Sequence, residues 1–416
     1  MKVVTPEAAV RAIPDGSRVL LPHGALDPVV LYDALREESP RFHSLELHFG
    51  LHFGTYSFLE PPCPNFRYVT WQATPRLRPH LREGRVEVLP LRFRDVVRVF
   101  SPRGPLRPDV LFLQTTLPRR GRVSLGISVS VYRELLRSTP LVIAEFNRNM
   151  PWTCGASEVP LEDIVLAVES DAPLCTYESR EPDAAEERVV EQVLRTLPNP
   201  CWLQVGIGTI PEAVLANWSG PSLRVHSGIA TDGLLAAARR ARDYRAFVGE
   251  VAGTRSLYDF VHENPRIEFR PTDWIHDVCT IGRLDRFVSV NGAVEVDLQG
   301  QANVESVAGV PVSGPGGALE FVEGAWASRG GLSVVALTST TKDGKRSKIV
   351  PFLEAGTPVA IPRFCVDAVV TEFGVARLRG RTLLERARAL LRIAHPDFRE
   401  ELAAAASDRF GRVQIL

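Results

Sequence analysis

Residues 202–218 read WLQVGIGTIPEAVLANW: a short apolar run, a Gly-Ile-Gly turn, and a helical pattern opened near Pro211. A run of this kind that ends in glycine and passes into a 3.6-residue periodicity is the strand-turn-helix unit of an α/β protein. About 180 residues earlier, VLLPHGALDPVVLYDAL (19–35) has the same grammar. Each copy is followed some twenty residues on by a further apolar run, LELHFG (45–50) and LRVHSG (223–228). The two halves therefore read as a duplicated α/β unit. Between them DVLFLQ (109–114), VSVYRELLR (129–137) and PLVIAEFN (140–147) continue the alternation that predicts largely parallel sheets. The charged, proline-containing stretch 173–200 interrupts it and places a boundary within 178–190. Two domains, 1–183 and 184–416, are expected, and a cleft between two such halves is the default place for a ligand.

Composition narrows the partners. The 416 residues carry 49 basic and 49 acidic side chains, 45% hydrophobic and 24% charged residues, which is ordinary for a folded globular chain. A duplex-reading protein carries a basic excess, and none is present, so no nucleic-acid partner is expected. No run of 18 apolar residues occurs and the start lacks a signal-type apolar segment, so a cytoplasmic protein without a membrane partner is expected. The six cysteines (Cys63, Cys154, Cys175, Cys201, Cys279, Cys365) have neither C-x-x-C nor metal-ligand spacing. They read as reduced, buried core residues, and no metal is expected.

Three segments carry candidate chemistry. At Gly206, Ile207 and Gly208 the backbone can approach a ligand, and the helix start behind them offers free N–H groups to an anion or a developing oxyanion; the same turn also serves plain packing. VPVSGPGGALEFVEGA (310–325) brings Gly314, Gly316 and Gly317 into a second loop, either a pocket lined by amides or a tight inter-strand turn. Of the 49 basic residues only four are lysine, and Lys342, Lys345 and Lys348 fall together in TKDGKRSKIVP (341–351). Asp343-Gly344 marks a hairpin tip, yet the clustering of so rare a residue favours contact with the phosphates of a nucleotide-like ligand. There is no G-x-S-x-G elbow, no G-x-x-x-x-G-K-[ST] loop and no H-E-x-x-H, which disfavours hydrolysis by a serine triad, ATP hydrolysis and zinc proteolysis.

Taken together, VIAEFNRNMPWTCG (142–155), VGIGTIPEAVL (205–215), GTRSLYDFVHENPRIEFRPTDWI (253–275), VNGAVEVDLQGQANVES (290–306), SGPGGALEFVEGA (313–325), SKIVP (347–351) and the C-terminal segment from Val369 to Leu402 resemble the acetyl-CoA hydrolase/transferase family. The resemblance is nearest to its 4-hydroxybutyrate and butyryl/acetate CoA-transferase branch and runs over nearly the whole chain. It implies two open α/β domains of the NagB/RpiA/CoA-transferase type, the second carrying the CoA and oxyanion loops. It also implies an acyl-CoA substrate, a carboxylate co-substrate, a role in acetate metabolism and a homodimer. In the chemistry it implies, a glutamate attacks the thioester, an acyl-glutamyl anhydride forms, and CoA is parked on the glutamate as a thioester. The implied oxyanion donors are Ile207 and the second loop with Gly316 and Gly317. Gly206, Gly208, Gly314 and the three lysines become CoA contacts, and Asn291 and Gln301 line the acyl site.

The sequence departs from this pattern where it matters most. The family reads His-Ser/Thr-Glu, then three residues, then Asp-Gly; here the segment is His226, Ser227, Gly228, Ile229, Ala230, Thr231, Asp232, Gly233. Glycine replaces the nucleophile. Three readings follow: Glu250, on the next apolar run AFVGEVAGT (246–254), serves as a displaced nucleophile; water attacks the thioester, aided by His226 or Glu250; or the chain binds CoA without catalysis, as a regulatory partner subunit of an intact paralogue. A glutamate restored at Gly228 is expected to create or raise transferase activity, and an inert, well-folded variant would count against this alignment.

Overall fold

The computed structural model describes residues 1–199 and 201–410, and the chain divides into two compact units. The first comprises Met1–Glu178 and Ala246–Ile275. Its eight-stranded sheet runs in the order Lys2–Val3, Leu166–Ser170, Leu141–Asn147, Val110–Thr115, Arg18–Leu20, Leu45–Phe49, Phe66–Thr70, Val86–Val88. Every pairing is parallel. A parallel sheet is covered on both faces, which explains why its strands read as unbroken apolar runs: all of Val110–Thr115 is buried. Against it the helix Val29–Glu37 buries Leu31, Tyr32, Ala34 and Leu35, in one core with Leu47, Phe49, Phe58 and Phe112. Each such large apolar side chain stabilises by roughly 1.5–3 kcal/mol on leaving water.

Chain order reverses beside Arg18–Leu20. Later strands extend the sheet on one side as far as Val86–Val88, then on the other from Val110–Thr115 outward. At such a switch point the loops leaving adjacent strands diverge and open a ligand crevice at the strands' carboxyl ends. The loop leaving Leu20 contains His23 and Gly24 and is tied to the neighbouring strand at its far end. Asp27 N–H donates to Gln114 Oε1 (3.3 Å), and Gln114 Nε2 donates to Asp27 O (3.1 Å) and to Glu145 Oε1 (3.1 Å). The Val29–Glu37 helix has no side-chain cap of its own; Glu145 Oε2 accepts the Val30 N–H (3.2 Å), satisfying one orphan donor from the sheet.

The second unit comprises Ser179–Arg245 and His276–Leu416. Its strands run Gly374–Arg377, Ala368–Thr371, Leu332–Ala336, Phe287–Gly292, Trp202–Val205, Ser222–Ala230, parallel except at the first pair. The central order repeats that of the first unit: a strand-turn-helix strand lies between the strand that follows it and a later one. Its switch point therefore lies between Trp202–Val205 and Phe287–Gly292, where Gly206–Gly208 and Asn291 emerge. Capping boxes fix the starts of Ala184–Thr196 (Asp183 with Glu186) and Leu383–Ile393 (Thr382 with Glu385).

The division differs from a single boundary at 183/184, because Ala246–Ile275 returns to the first unit. Backbone hydrogen bonds hold it there. Ala246–Val248 pairs with Ile267–Phe269, which pairs with Cys154–Gly155, and Thr272 N–H donates to Ser130 O (2.9 Å). Composition marks the proline-rich linker but carries no sign of this return. The cysteines are more varied than expected: all six are free, and Cys63, Cys201 and Cys365 are buried, but Cys154 and Cys175 are half-buried and Cys279 is exposed. Among the described residues no helix is long and apolar enough to cross a membrane, and no group of three His, Cys, Asp or Glu is placed to hold a metal ion.

Candidate active site

Glu250 lies in the first unit, near the end of the strand Asp243–Val251, and is buried. The loop 127–130 grips this strand end by its backbone: Val251 N–H donates to Ile127 O (2.9 Å), and Val129 and Ser130 both donate to Gly249 O (3.0 and 3.2 Å). To make these bonds Ser130 adopts φ +34°, a region that non-glycine residues seldom occupy and that the surroundings must enforce. Ser128 faces Glu250 across an isolated antiparallel bridge, and its Oγ donates to Glu250 Oε2 (3.0 Å). His23 Nε2 lies 3.6 Å from the same oxygen. Gly24 lies so close that a Cβ there would be 2.5 Å from Oε2, and its φ of +68° also requires glycine. Oε1 differs from its twin: among the described residues nothing donates to it, and it keeps open surface.

Burial governs the electrostatics. It pushes the Glu250 carboxyl up to about 7, and only the Ser128 hydrogen bond opposes it. Burial likewise drives His23 down to about 3, helped by nearby His52, so the imidazole stays neutral. The Tyr132 hydroxyl is held well above its ordinary range, first by burial and then by the Glu250 charge. Tyr132 Oη accepts the His23 backbone N–H (2.7 Å) and lies 2.7 Å from Nδ1. Its single proton then goes to Nδ1, which leaves Nε2 protonated and donating to Ser130 Oγ (2.9 Å). This tautomer is assigned from the network. Trp71, Phe93 and Tyr132 rings surround the imidazole at centroid distances of 6.1, 5.2 and 5.0 Å.

The loop bearing Ser128 is braced in turn. Thr153 Oγ1 donates to Gly126 O (2.7 Å), and Met150 Sδ would lie 2.1 Å from a Cβ at Gly126. The motif 142–155 thus braces the loop that carries Ser128.

In the second unit the Gly206–Gly208 turn opens the helix Thr209–Ala216. Gly206 N–H donates to Val290 O (2.9 Å) and Gly208 N–H to Glu212 Oε1 (2.9 Å), whereas among the described residues none accepts from the Ile207 amide. Ile207 itself is 37% exposed. Asn291 is committed to holding the turn. It exchanges two 3.2 Å hydrogen bonds with Gln204, donates to Ser289 Oγ (2.8 Å), and lies so near that a Cβ at Gly206 would be 2.8 Å from its Oδ1. Gln301 O accepts the Asp297 N–H (3.1 Å) and Gln301 N–H donates to Asp297 Oδ1 (3.2 Å), whereas among the described residues its side chain makes no hydrogen bond.

His226, on the strand Ser222–Ala230, is buried with its ring edge-on to Phe287 and Phe321 (6.0 and 6.4 Å). A Cβ at Gly228 would lie 3.0 Å from His276 Nε2, and one at Gly317 only 2.4 Å from the same nitrogen. The His276 ring thus fills the space beside both glycines, against Phe321 (4.7 Å), and a side chain at 228 needs it to move. Gly316 has φ +55° and open space around its Cα, and Gly317 opens the helix Ala318–Ala327; Gly314 beside them is buried. The lysines separate. Lys342 and Lys345 are exposed on a tip closed by Thr341 N–H to Arg346 O (2.9 Å). Lys348, grouped with them by sequence, is half-buried with Nζ on Thr338 Oγ1 (3.3 Å), and its backbone N–H is bonded to Ser339 O as the chain enters Ile349–Val350.

Two parallel-sheet units, each with a loop leaving its switch point, define an α/β fold of the CoA-transferase type. The acetyl-CoA hydrolase/transferase N-terminal domain matches residues 1–184 and the C-terminal domain residues 253–406, and the chain belongs to this family. It is 35% identical to the 4-hydroxybutyrate coenzyme A transferase of Clostridium kluyveri over 98% of both chains. Among solved structures it superposes on RipA from Yersinia pestis with a TM-score of 0.91 at 28% identity, covering 98% of this chain and 97% of that one. It superposes on 4-hydroxybutyrate CoA-transferase from Porphyromonas gingivalis with a TM-score of 0.83 at 31% identity, covering 98% of both. The family holds both CoA-transferases and an acetyl-CoA hydrolase.

Proposed function

We propose that this chain transfers CoA between short-chain carboxylic acids, with Glu250 as the nucleophile and Oε1 as its attacking oxygen. The observation that carries this reading is the asymmetric carboxylate: Oε2 is held by Ser128, Oε1 is open, and burial leaves the group poised near neutrality. A carboxylate stripped of water is a stronger nucleophile than a solvated one. Oε1 attacks the acyl-CoA carbonyl, the C–S bond breaks, and an acyl-glutamyl anhydride and CoA thiolate result. The thiolate then attacks the glutamyl carbonyl, releasing the first carboxylate and leaving a glutamyl-CoA thioester. An incoming carboxylate attacks that thioester to re-form an anhydride, and thiolate attack on its acyl carbonyl yields the new acyl-CoA and free Glu250.

The Ile207 amide and the Gly314, Gly316 and Gly317 loop suit the oxyanion of the addition steps. Gly206 and Gly208 shape that turn, and Lys342 and Lys345 suit the phosphates of CoA, with Lys348 beneath them. Gly228 leaves the familiar nucleophile position without a carboxylate. His226, enclosed by aromatic rings, is assigned no proton transfer. Asn291 holds the turn, and Gln301 is kept as an acyl-site contact.

One observation favours a second reading. A carboxyl that titrates near 7 is also matched to general-base activation of water, which would make the chain an acyl-CoA hydrolase. Incubation with acetyl-CoA or butyryl-CoA and a second carboxylate, followed by mass spectrometry of the peptide bearing Glu250, separates the two. A CoA adduct on that peptide with exchange of acyl groups supports transfer; free thiol with no adduct supports hydrolysis; neither product means that the chain binds CoA without turnover.

A further inference from the structure

We propose that Ser128 is a positioning residue that divides the labour of the Glu250 carboxylate, fixing Oε2 so that Oε1 alone meets the acyl carbon. This rests on the reading of Glu250 as the reacting group.

The geometry is specific. A free carboxylate rotates about its last bond and presents either oxygen, but the Ser128 hydroxyl, 3.0 Å from Oε2, anchors one of them. The serine is itself fixed, because backbone bonds on both sides, Val251 to Ile127 and Val129 and Ser130 to Gly249, lock its residue opposite Glu250. Gly24 closes the space behind Oε2, since even a Cβ there would lie 2.5 Å from it. Among the described residues, the titratable groups facing the carboxylate are His23, at 3.6 Å, and Tyr132; both are neutral, and His52 lies near the imidazole. Ser130 and Thr272 complete the polar wall, 3.3 Å apart. Among the described residues, the hydrogen bond from Ser128 is thus the one interaction that favours the charged carboxylate.

Ser128→Ala removes the anchor and little volume, and Ser128→Thr keeps the hydroxyl. Two readouts apply. The first is the pH above which the stability gap between a Glu250→Gln partner and its parent stops widening, measured by thermal unfolding across pH for wild type and for Ser128→Ala. A charge-assisted hydrogen bond of ordinary strength corresponds to a displacement of this point upward by about one pH unit or more in Ser128→Ala. The second is steady-state exchange, where Ser128→Ala is expected to lose kcat by about tenfold or more with KM little changed, and Ser128→Thr to recover most of it. An unchanged plateau pH together with wild-type kcat in Ser128→Ala, while Glu250→Gln is inactive, overturns this role for Ser128 and spares the nucleophile. Full turnover in Glu250→Gln overturns both.

Discussion

Replacing Glu250 with glutamine keeps the shape of the side chain and removes its ionisation. In the folded protein the carboxyl is pushed up to about 7 by burial, against an ordinary value of 4.5. The unfolded chain therefore ionises first as pH rises, and between these values the folded state holds the extra proton. The stability associated with that proton is fully present below 4.5 and is lost as pH rises through about 7. At 1.36 kcal/mol per pH unit the loss amounts to about 3 kcal/mol above pH 8. Glutamine avoids it, and its carbonyl oxygen still accepts from Ser128. Glu250→Gln is thus expected to match the parent at pH 4.5 and to exceed it by about 3 kcal/mol at pH 8.5, while losing turnover. Denaturant unfolding at the two pH values measures the gap. A gap of the same size at both, or a variant less stable at pH 8.5, refutes the argument that burial holds this carboxyl protonated.

Gly228→Glu, which the sequence pattern alone marks as a gain of transfer, is on the structure expected instead to lower the melting temperature without that gain, because its Cβ meets His276 Nε2 at 3.0 Å. Adding His276→Asn is expected to recover part of the loss, with non-additivity of about 1 kcal/mol or more in a double-mutant cycle; additive effects would count against the steric account. Gly24→Ala and Gly16→Ala share a positive φ (+68° and +76°), but only the first brings a Cβ onto Glu250, since nothing lies within 4 Å of the second. Urea titration should show Gly16→Ala costing about 1 kcal/mol and Gly24→Ala clearly more, with activity lost only in Gly24→Ala. Lys342→Ala and Lys345→Ala are expected to raise KM for acyl-CoA by a factor that shrinks with added salt, whereas Lys348→Ala should act chiefly on unfolding temperature.

The architecture was largely open to reading because parallel strands buried on both faces leave runs such as VLFLQT and LVIAEFN, and the Gly turns mark where each run meets its helix. The site was less so. Glu250 stood out as a lone carboxylate in an apolar strand, but its partners are separated from it or from one another by more than a hundred residues: Ser128 by 122, and His23 from Tyr132 by 109. Nothing local pairs such residues. One sign was present in GISVSVY (126–132), where Ser128, Ser130 and Tyr132 alternate with buried Ile127, Val129 and Val131, placing three polar groups two residues apart. His276 escaped notice for a different reason: its importance is the volume that it takes from Gly228 and Gly317, and volume has no signature in one-dimensional spacing. Lysine scarcity likewise pointed to a cluster but could not show that Lys348 turns inward onto Thr338.

The most direct test of the central claim is the mass of the peptide carrying Glu250 after the protein is mixed with an acyl-CoA and quenched. The account predicts a CoA thioester on Glu250, absent in Glu250→Gln and discharged by an added carboxylate as acyl-CoA re-forms. A CoA adduct on a different side chain, or acyl exchange that proceeds undiminished in Glu250→Gln, would contradict it.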